Sequence, residues 1–178
     1  MRENTVGIRP ETRALRRFAS AALAGQKRRY NGTEPSALLL LEPKLTELPS
    51  ALIEDAYLAP VDKVIWLVLM SCACRGNGVT FLPTHLELAR RTNVAATDTV
   101  ERGLSILRCR RWLSVCHTSW RKGGRRKASA YALHAKPLPI VDTIHLDPHY
   151  PAFVDGLSGQ RHARVRKVAC DVLAQLPH

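Results

Sequence analysis

The spacing of the hydrophobic positions changes several times between residues 60 and 134. Residues 61–74 follow a proline and are apolar nearly all round from Val64 onward, which is typical of a buried helix that proline opens. Residues 79–82 fit a short strand. Leu86, Leu88 and Ala89 supply the apolar contacts of a second helix, and Val100, Leu104 and Leu107 lie on one face of a third. Residues 112–120 and 129–134 alternate imperfectly, as the two strands of a hairpin do. The pattern therefore predicts helix, strand, two helices and a hairpin, in that order.

The junctions between these elements carry specific signals. Thr84-His85-Leu86-Glu87 matches a capping box at the start of the second helix. Asn93 suits the left-handed residue of the turn that joins two helices. Asp98, or else Thr97, is the expected cap of the third helix. Gly123-Gly124 permits a tight hairpin turn. Together these signals predict a winged helix-turn-helix at about 58–136.

The flanking regions are predicted to be mostly helical. Residues 9–23 form a basic helix with Leu15, Phe18 and Ala22 apolar at helical spacing, and Gly25 is expected to end it. This region is either an arm that lies on phosphates or a poorly ordered tail. Residues 38–41 suit a strand or a packing fragment, and 49–57 suit a short helix capped by Ser50.

The region after residue 136 is broken by prolines and ends in an amphipathic helix at 161–176. Its stripe of Val165, Val168, Ala169, Val172 and Leu176 either packs on its own domain or forms a dimer interface. The fold class predicted is mainly α with a small β wing. The expected divisions are a basic N-terminal region at 1–57, the winged unit at 58–136, and a C-terminal helical region at 137–178.

The charge distribution indicates a polyanionic partner. The chain has 178 residues and a net charge of +12, from 27 Lys and Arg against 15 Asp and Glu. Residues 90–127 hold 11 basic and two acidic side chains, and residues 1–30 hold eight and two. The excess is therefore greatest on the predicted winged unit, although a merely solvated charged face is the alternative.

The candidate DNA-binding residues fall into two classes, because phosphate contacts position a protein while base contacts supply sequence choice. The phosphate candidates are the hairpin residues Arg121, Lys122, Arg125, Arg126 and Lys127, and the flanking residues Arg90, Arg91, Arg110 and Arg111. The base-reading candidates on the third helix are Thr97, Thr99, Arg102 and Ser105. Asp98 and Glu101 stand among these last four, so general DNA affinity is better supported than a strict sequence code.

The sequence offers little support for catalysis or for a metal site. It has neither a phosphate-binding loop of the P-loop type nor a Gly-x-Ser-x-Gly elbow. Asp142, His145, Asp147 and His149 form a suggestive group, but caps and surface loops are the favoured interpretation. The five cysteines have no metal-binding spacing, and the first ten residues lack the apolar core of a signal peptide. We therefore expect reduced thiols, no cofactor, no catalytic or metal residues and a cytoplasmic protein.

Several short motifs resemble a family of replication proteins found in pathogenicity islands and integrative conjugative elements. The residues that carry this resemblance are Leu58-Ala59-Pro60-Val61-Asp62-Lys63 before Trp66, Asp98-Thr99-Val100, Leu104-Ser105-Ile106-Leu107-Arg108, Arg111-Trp112-Leu113-Ser114, Tyr131-Ala132-Leu133-His134, Pro137-Leu138-Pro139 and His145-Leu146-Asp147-Pro148. The stretch that resembles the family, from Leu58 to about Val154, covers over half the chain. The resemblance implies a winged helix-turn-helix DNA-binding protein of a mobile element, with a role in replication, partitioning or regulation.

The predicted function is non-catalytic binding of double-stranded DNA. We expect a nucleoid-associated homodimer that serves replication, maintenance or transcription control of a mobile element such as a plasmid, with other proteins of that element as further partners and no membrane contact. The alternative is a winged helix that acts as a protein-interaction adaptor in a nucleoprotein assembly. RNA binding ranks third, because few aromatic residues are present to stack on bases.

Overall fold

The fold was analysed in a computed structural model that describes residues 7–27, 36–40, 48–75, 79–120 and 126–176, without the side chains of residues 26, 27, 120, 126 and 127. Helices dominate these ranges, and a small mixed sheet accompanies them. The elements in chain order are α1 (Pro10–Lys27), β1 (Ala37–Leu40), α2 (Ser50–Glu54), α3 (Pro60–Arg75), β2 (Val79–Phe81), α4 (His85–Thr92), α5 (Thr97–Cys109), β3 (Leu113–Trp120), β4 (Arg126–Leu133), α6 (Ile140–Leu146), α7 (Tyr150–Ser158) and α8 (Ala163–Leu173).

The described sheet has four strands in the order β2-β1-β4-β3. β3 and β4 form the antiparallel hairpin, while β1 pairs in parallel with β4 and antiparallel with β2. The N-terminal strand therefore lies between the hairpin and the strand that precedes α4. Residues 38–41 were expected to be a strand or a packing fragment, and the structure makes β1 an interior strand of the sheet.

The two faces of the sheet pack in different cores because side chains alternate along each strand. On one face Leu38 and Leu40 join the helical core around α3 and α5. On the other face Ala37 and Leu39 join a second core with Ala130, Ala132 and helix α1. The sheet is thus a middle layer, with α1 on one side and most of the remaining helices on the other.

Helix α1 is longer and packs differently from the sequence prediction. It continues past Gly25 to Lys27, so the expectation that Gly25 ends it is wrong. Leu15, Ala19 and Leu23 are buried against the sheet, whereas Phe18 is 49% exposed. Burial of each leucine contributes about 1.5–3 kcal/mol, so α1 is anchored by its own apolar stripe. A poorly ordered tail is therefore the wrong description of this helix.

Helix α3 is the central helix of the larger core, as its apolar sequence predicts. Ile65, Trp66 and Leu69 are fully buried. The indole Nε1 of Trp66 donates to the carbonyl oxygen of His134 at 3.1 Å, and its ring meets Trp112 edge to face at 6.2 Å. These contacts join α3 to both strands at the open end of the β3–β4 hairpin, opposite its connection, and so fix the hairpin relative to the helices.

The region after β4 is held to the body of the chain by buried ion pairs. Asp142 of α6 accepts from the Arg9 backbone at 3.0 Å and from Arg9 Nε at 2.6 Å. Asp147 is buried and pairs with Arg108 of α5. Caps and surface loops were the expected roles of these two carboxylates. Asp147 does accept a backbone N–H, that of His149 at 3.1 Å, in the turn before α7. Surface loops are the wrong description of both carboxylates, because each is buried and compensates an arginine from a distant part of the chain.

The C-terminal helices pack within the chain. The α8 residues Val165, Val168, Ala169 and Val172 are buried in the larger core, and Arg164 pairs with the fully buried Asp62 of α3. The apolar stripe of α8 is therefore covered by its own domain. A homodimer remains a prediction, but this stripe does not provide its interface.

Within the described ranges, no helix is both long enough and apolar enough to cross a bilayer. In the same ranges, no three His, Cys, Asp or Glu residues are grouped so that they could hold a metal ion.

His134 makes the fold sensitive to acid. It is buried, and Nε2 lies 3.0 Å from Ser114 Oγ. Burial, with the Arg9 charge as a smaller cause, lowers the pKa of His134 to about 4. Because the unfolded histidine takes up a proton near pH 6.5, the unfolding free energy should fall by about 2–3 kcal/mol as the pH drops from 6.5 to 4. Urea titrations across this range should show a shallower pH dependence for His134→Gln, but not for the exposed control His149→Gln. An unchanged dependence in His134→Gln would contradict this assignment.

Candidate nucleic-acid interface

Helices α4 and α5 are joined by a tight turn at 93–96. Thr84 Oγ1 accepts from the backbone N–H of Glu87 at 3.2 Å, and Glu87 Oε2 accepts from the Thr84 N–H at 2.8 Å. These bonds confirm the capping box, and they hold the pKa of Glu87 below its usual value. Asn93 ends α4 with φ of 55°, which confirms the left-handed turn residue.

The start of α5 differs from the prediction. The residue before the first turn is Ala96, which offers no side-chain cap. Asp98 and Thr97 both lie inside the helix, so neither is the cap that the sequence suggested. The first backbone N–H groups of α5 consequently point away from the helix without a side-chain acceptor. Asp98 in the first turn partly compensates the helix dipole.

One side of α5 is fixed by close packing against α3. Val100, Ile106 and Leu107 are fully buried. At Gly103 an added Cβ would lie 2.5 Å from Cδ1 of Ile65 and 3.1 Å from a carboxylate oxygen of Asp62. A larger residue at position 103 would have to displace the Ile65 Cδ1 methyl, so glycine permits the close approach of α5 to α3.

The four base-reading candidates on α5 are not equally accessible. Thr97 is exposed, whereas Thr99, Arg102 and Ser105 are half-buried. Arg102 Nη2 donates to Thr99 Oγ1 at 3.0 Å, so these two side chains are already paired with each other. Thr97 is thus the candidate with the freest side chain, and Arg102 would have to break its hydrogen bond to reach a base.

A groove of about 560 Å³ runs beside the exposed flank of α5. The α5 side of the groove is formed by Asp98, Glu101, Arg102 and Ser105, and the other side by the turn between α7 and α8, including Gly159, Gln160, Arg161 and His162. Sequence reasoning missed this second wall, because only the tertiary packing of α8 brings it near α5. The flank that carries Arg102 and Ser105 is therefore partly enclosed.

The arginines at the end of α4 are exposed. Arg90 has no hydrogen-bond or ionic partner among the described residues. Arg91 Nη1 donates to Cys72 Sγ at 3.0 Å, which orients this guanidinium along α3. Arg90 is accordingly the freer of these two candidate phosphate contacts.

Three arginines at the end of α5 are engaged inside the protein. Arg108 pairs with Asp147 and stacks on Phe153, with its guanidinium carbon 3.8 Å from the ring centroid. Arg110 pairs with Asp55 at 3.3 Å. Arg111 takes a φ of 64° and donates through Nε to the Leu138 carbonyl at 2.8 Å. The prediction that Arg110 and Arg111 contact phosphates is therefore wrong, because both stabilise the fold.

The β3–β4 hairpin follows α5 directly. Its strands pair from Leu113 with Leu133 to Trp120 with Arg126, with a register shift between Val115 and His117. The candidates Arg121, Lys122 and Arg125 in the connection lie outside the described residues. Arg126 and Lys127 begin β4, but their side chains also lie outside the description. The structure therefore gives the backbone positions at which the basic connection begins and ends. The positions of its cationic groups lie outside the described part of the chain.

Comparison of the chain with protein-family models, curated proteins and solved structures gives no match.

Proposed function

We propose that this chain binds double-stranded DNA without catalysing a reaction, as a winged helix-turn-helix protein. The observation that carries the proposal is the succession of α4, the left-handed turn at Asn93, α5 and an antiparallel hairpin with five basic residues in its connection and at the start of β4. In such units the second helix meets the duplex and the hairpin contacts its backbone. Cationic groups on a hairpin connection supply phosphate affinity that does not depend on sequence.

The α5 surface supports weak rather than strict sequence choice. Its freely exposed end presents Thr97, Asp98 and Glu101, and two of these are carboxylates that a phosphate backbone repels. Arg102, which could read guanine, is paired with Thr99. We therefore assign most of the binding free energy to Arg90 and the basic connection. Thr97 would lie at the edge of the DNA groove. The setting in a mobile genetic element rests on the motif resemblance alone.

A second candidate function is that of a protein-interaction adaptor. It is favoured by the apolar side chain of Leu86 on α4, which is 54% exposed. In this function the positive charge would be incidental, and duplex DNA would not compete with the protein partner.

A salt titration tests the two functions. We expect the logarithm of the affinity for a random-sequence duplex to fall linearly with the logarithm of salt concentration, with a slope of about −4 to −5 for five phosphate contacts. Fluorescence anisotropy with a labelled 12-base-pair duplex measures this slope, and a single strand of equal length is the comparison. An absence of duplex binding at low salt would contradict the proposal and favour the adaptor.

A further inference from the structure

Helix α1 presents a row of arginines that the fold does not use. Arg13, Arg16 and Arg17 are exposed and have no ionic or hydrogen-bond partner within the described ranges. The contrast with Arg108, Arg110 and Arg164 is clear, because each of those pairs with a buried carboxylate. The three α1 arginines therefore contribute positive charge at the surface that nothing nearby in the described structure neutralises.

The arginines share one flank of the helix. Spacings of three and four residues bring Arg13, Arg16 and Arg17 together on a helix surface. Further along the same flank the exposed residues are Ser20 and Ala24, which are small and leave the arginines accessible. The opposite flank, with Ala14 and Phe18, faces an apolar cavity of about 580 Å³. The positive charge is therefore confined to one side of α1.

The buried side of α1 shows which part of the sheet the helix covers. Leu15 and Leu23 share a core with Cys116 of β3 and with Ala128 and Ala130 of β4. The exposed arginines therefore belong to a helix that packs on the two strands of the hairpin whose connection is basic.

We propose that Arg13, Arg16 and Arg17 form a second phosphate-contact surface, which extends the footprint of the protein along a DNA duplex beyond the segment held by α4, α5 and the hairpin connection. This inference rests on the proposed function. The occupant is assigned by charge complementarity, since closely spaced guanidinium groups without carboxylate partners match the repeating phosphates of a nucleic-acid backbone. An anionic lipid surface is the competing occupant, and it is an outcome of the test.

The test compares two variants that lower the net charge equally. Arg13→Gln/Arg17→Gln removes charge from the arginine flank, and glutamine preserves helix propensity at exposed positions. Lys136→Gln/Lys167→Gln is the matched control, since both lysines are exposed and neither lies on this flank. Affinities for 12- and 24-base-pair duplexes are measured against salt concentration for the wild type and both variants. Binding to phosphatidylserine vesicles is measured in parallel.

We expect the wild type to show a steeper salt dependence on the longer duplex than on the shorter one. In Arg13→Gln/Arg17→Gln the slope on the 24-base-pair duplex should decrease by about 2, from two lost phosphate contacts, with little change on 12 base pairs. The control variant should match the wild type on both duplexes.

Other outcomes overturn the inference in distinguishable ways. If Arg13→Gln/Arg17→Gln and the control bind the 24-base-pair duplex with the same salt-dependence slope, the α1 arginines do not contact DNA, and the proposed function is unaffected. A loss confined to vesicle binding assigns the surface to lipid. Absence of wild-type binding to either duplex overturns the proposed function together with this inference.

Discussion

Asp55→Ala should lower the free energy of unfolding by about 3–5 kcal/mol, the largest loss expected from a single polar substitution in this chain. The Asp55 side chain is 5% exposed. It accepts from the indole Nε1 of Trp112 at 3.0 Å, from the Tyr57 N–H at 3.0 Å and from the Arg110 guanidinium at 3.3 Å. Alanine would leave the Arg110 charge and the Trp112 N–H without these acceptors in a site that admits little water.

Urea denaturation provides the measurement, with Asp155→Ala on the exposed surface of α7 as the control. Asp55→Asn should lose less than Asp55→Ala, because an amide oxygen still accepts from Trp112 or Tyr57 while the charge opposite Arg110 is gone. A free energy of unfolding for Asp55→Ala within about 1 kcal/mol of the wild-type value, roughly the contribution of one neutral hydrogen bond, would contradict this prediction. Asp55 would then contribute little to the stability of the fold.

Replacing Arg125, Arg126 and Lys127 together with alanine should produce the largest loss of DNA affinity. Three lost phosphate contacts decrease the salt slope by about 2.7, and the affinity for all duplex sequences should fall to a similar extent. Anisotropy titrations of several unrelated duplexes measure both quantities.

A matched control for this variant replaces three cations on other elements, namely Arg75, Lys136 and Lys167, which are all exposed. The control lowers the net charge equally, so it separates a local contact from a general electrostatic effect. If both triple variants weaken binding to the same extent, the hairpin connection has no special role.

Local signals in the sequence were sufficient for the elements around α4. The capping box at Thr84 and Glu87 and the left-handed Asn93 depend on residues at most four positions away. The proline that opens α3 is also a local signal, and the alternating hairpin strands pair with the strand next to them in sequence. Such features can be predicted because their hydrogen bonds form within one turn or between adjacent strands.

The features that could not be predicted from the sequence depend on contacts between residues far apart in the chain. The insertion of β1 between β2 and β4 depends on hydrogen bonds between residues about 40 to 90 positions apart. The sequence indicated that Arg110 is a surface cation, whereas in the structure it pairs with Asp55. The charge excess of residues 90–127 consequently overstated the cationic surface, because no sequence pattern distinguishes a paired arginine from a free one.

The accessible surface of α5 also depends on long-range contacts that the sequence does not reveal. Its apolar spacing predicted which side is buried, and Val100 and Leu107 are indeed buried. The Thr99–Arg102 hydrogen bond and the nearby turn between α7 and α8 narrow the accessible surface to the end marked by Thr97. Candidate base-reading residues could therefore be named from sequence, but their accessibility depends on packing of the C-terminal helices.

Photo-cross-linking tests most directly the central claim that α5 meets duplex DNA. A photoreactive amino acid is placed at Thr97, or at the exposed control position Ala152 on α7, and irradiated with a bound 24-base-pair duplex. The proposed function predicts a protein–DNA cross-link from position 97 and none from position 152. Cross-linking from position 152 alone, in protein that binds the duplex, would contradict it.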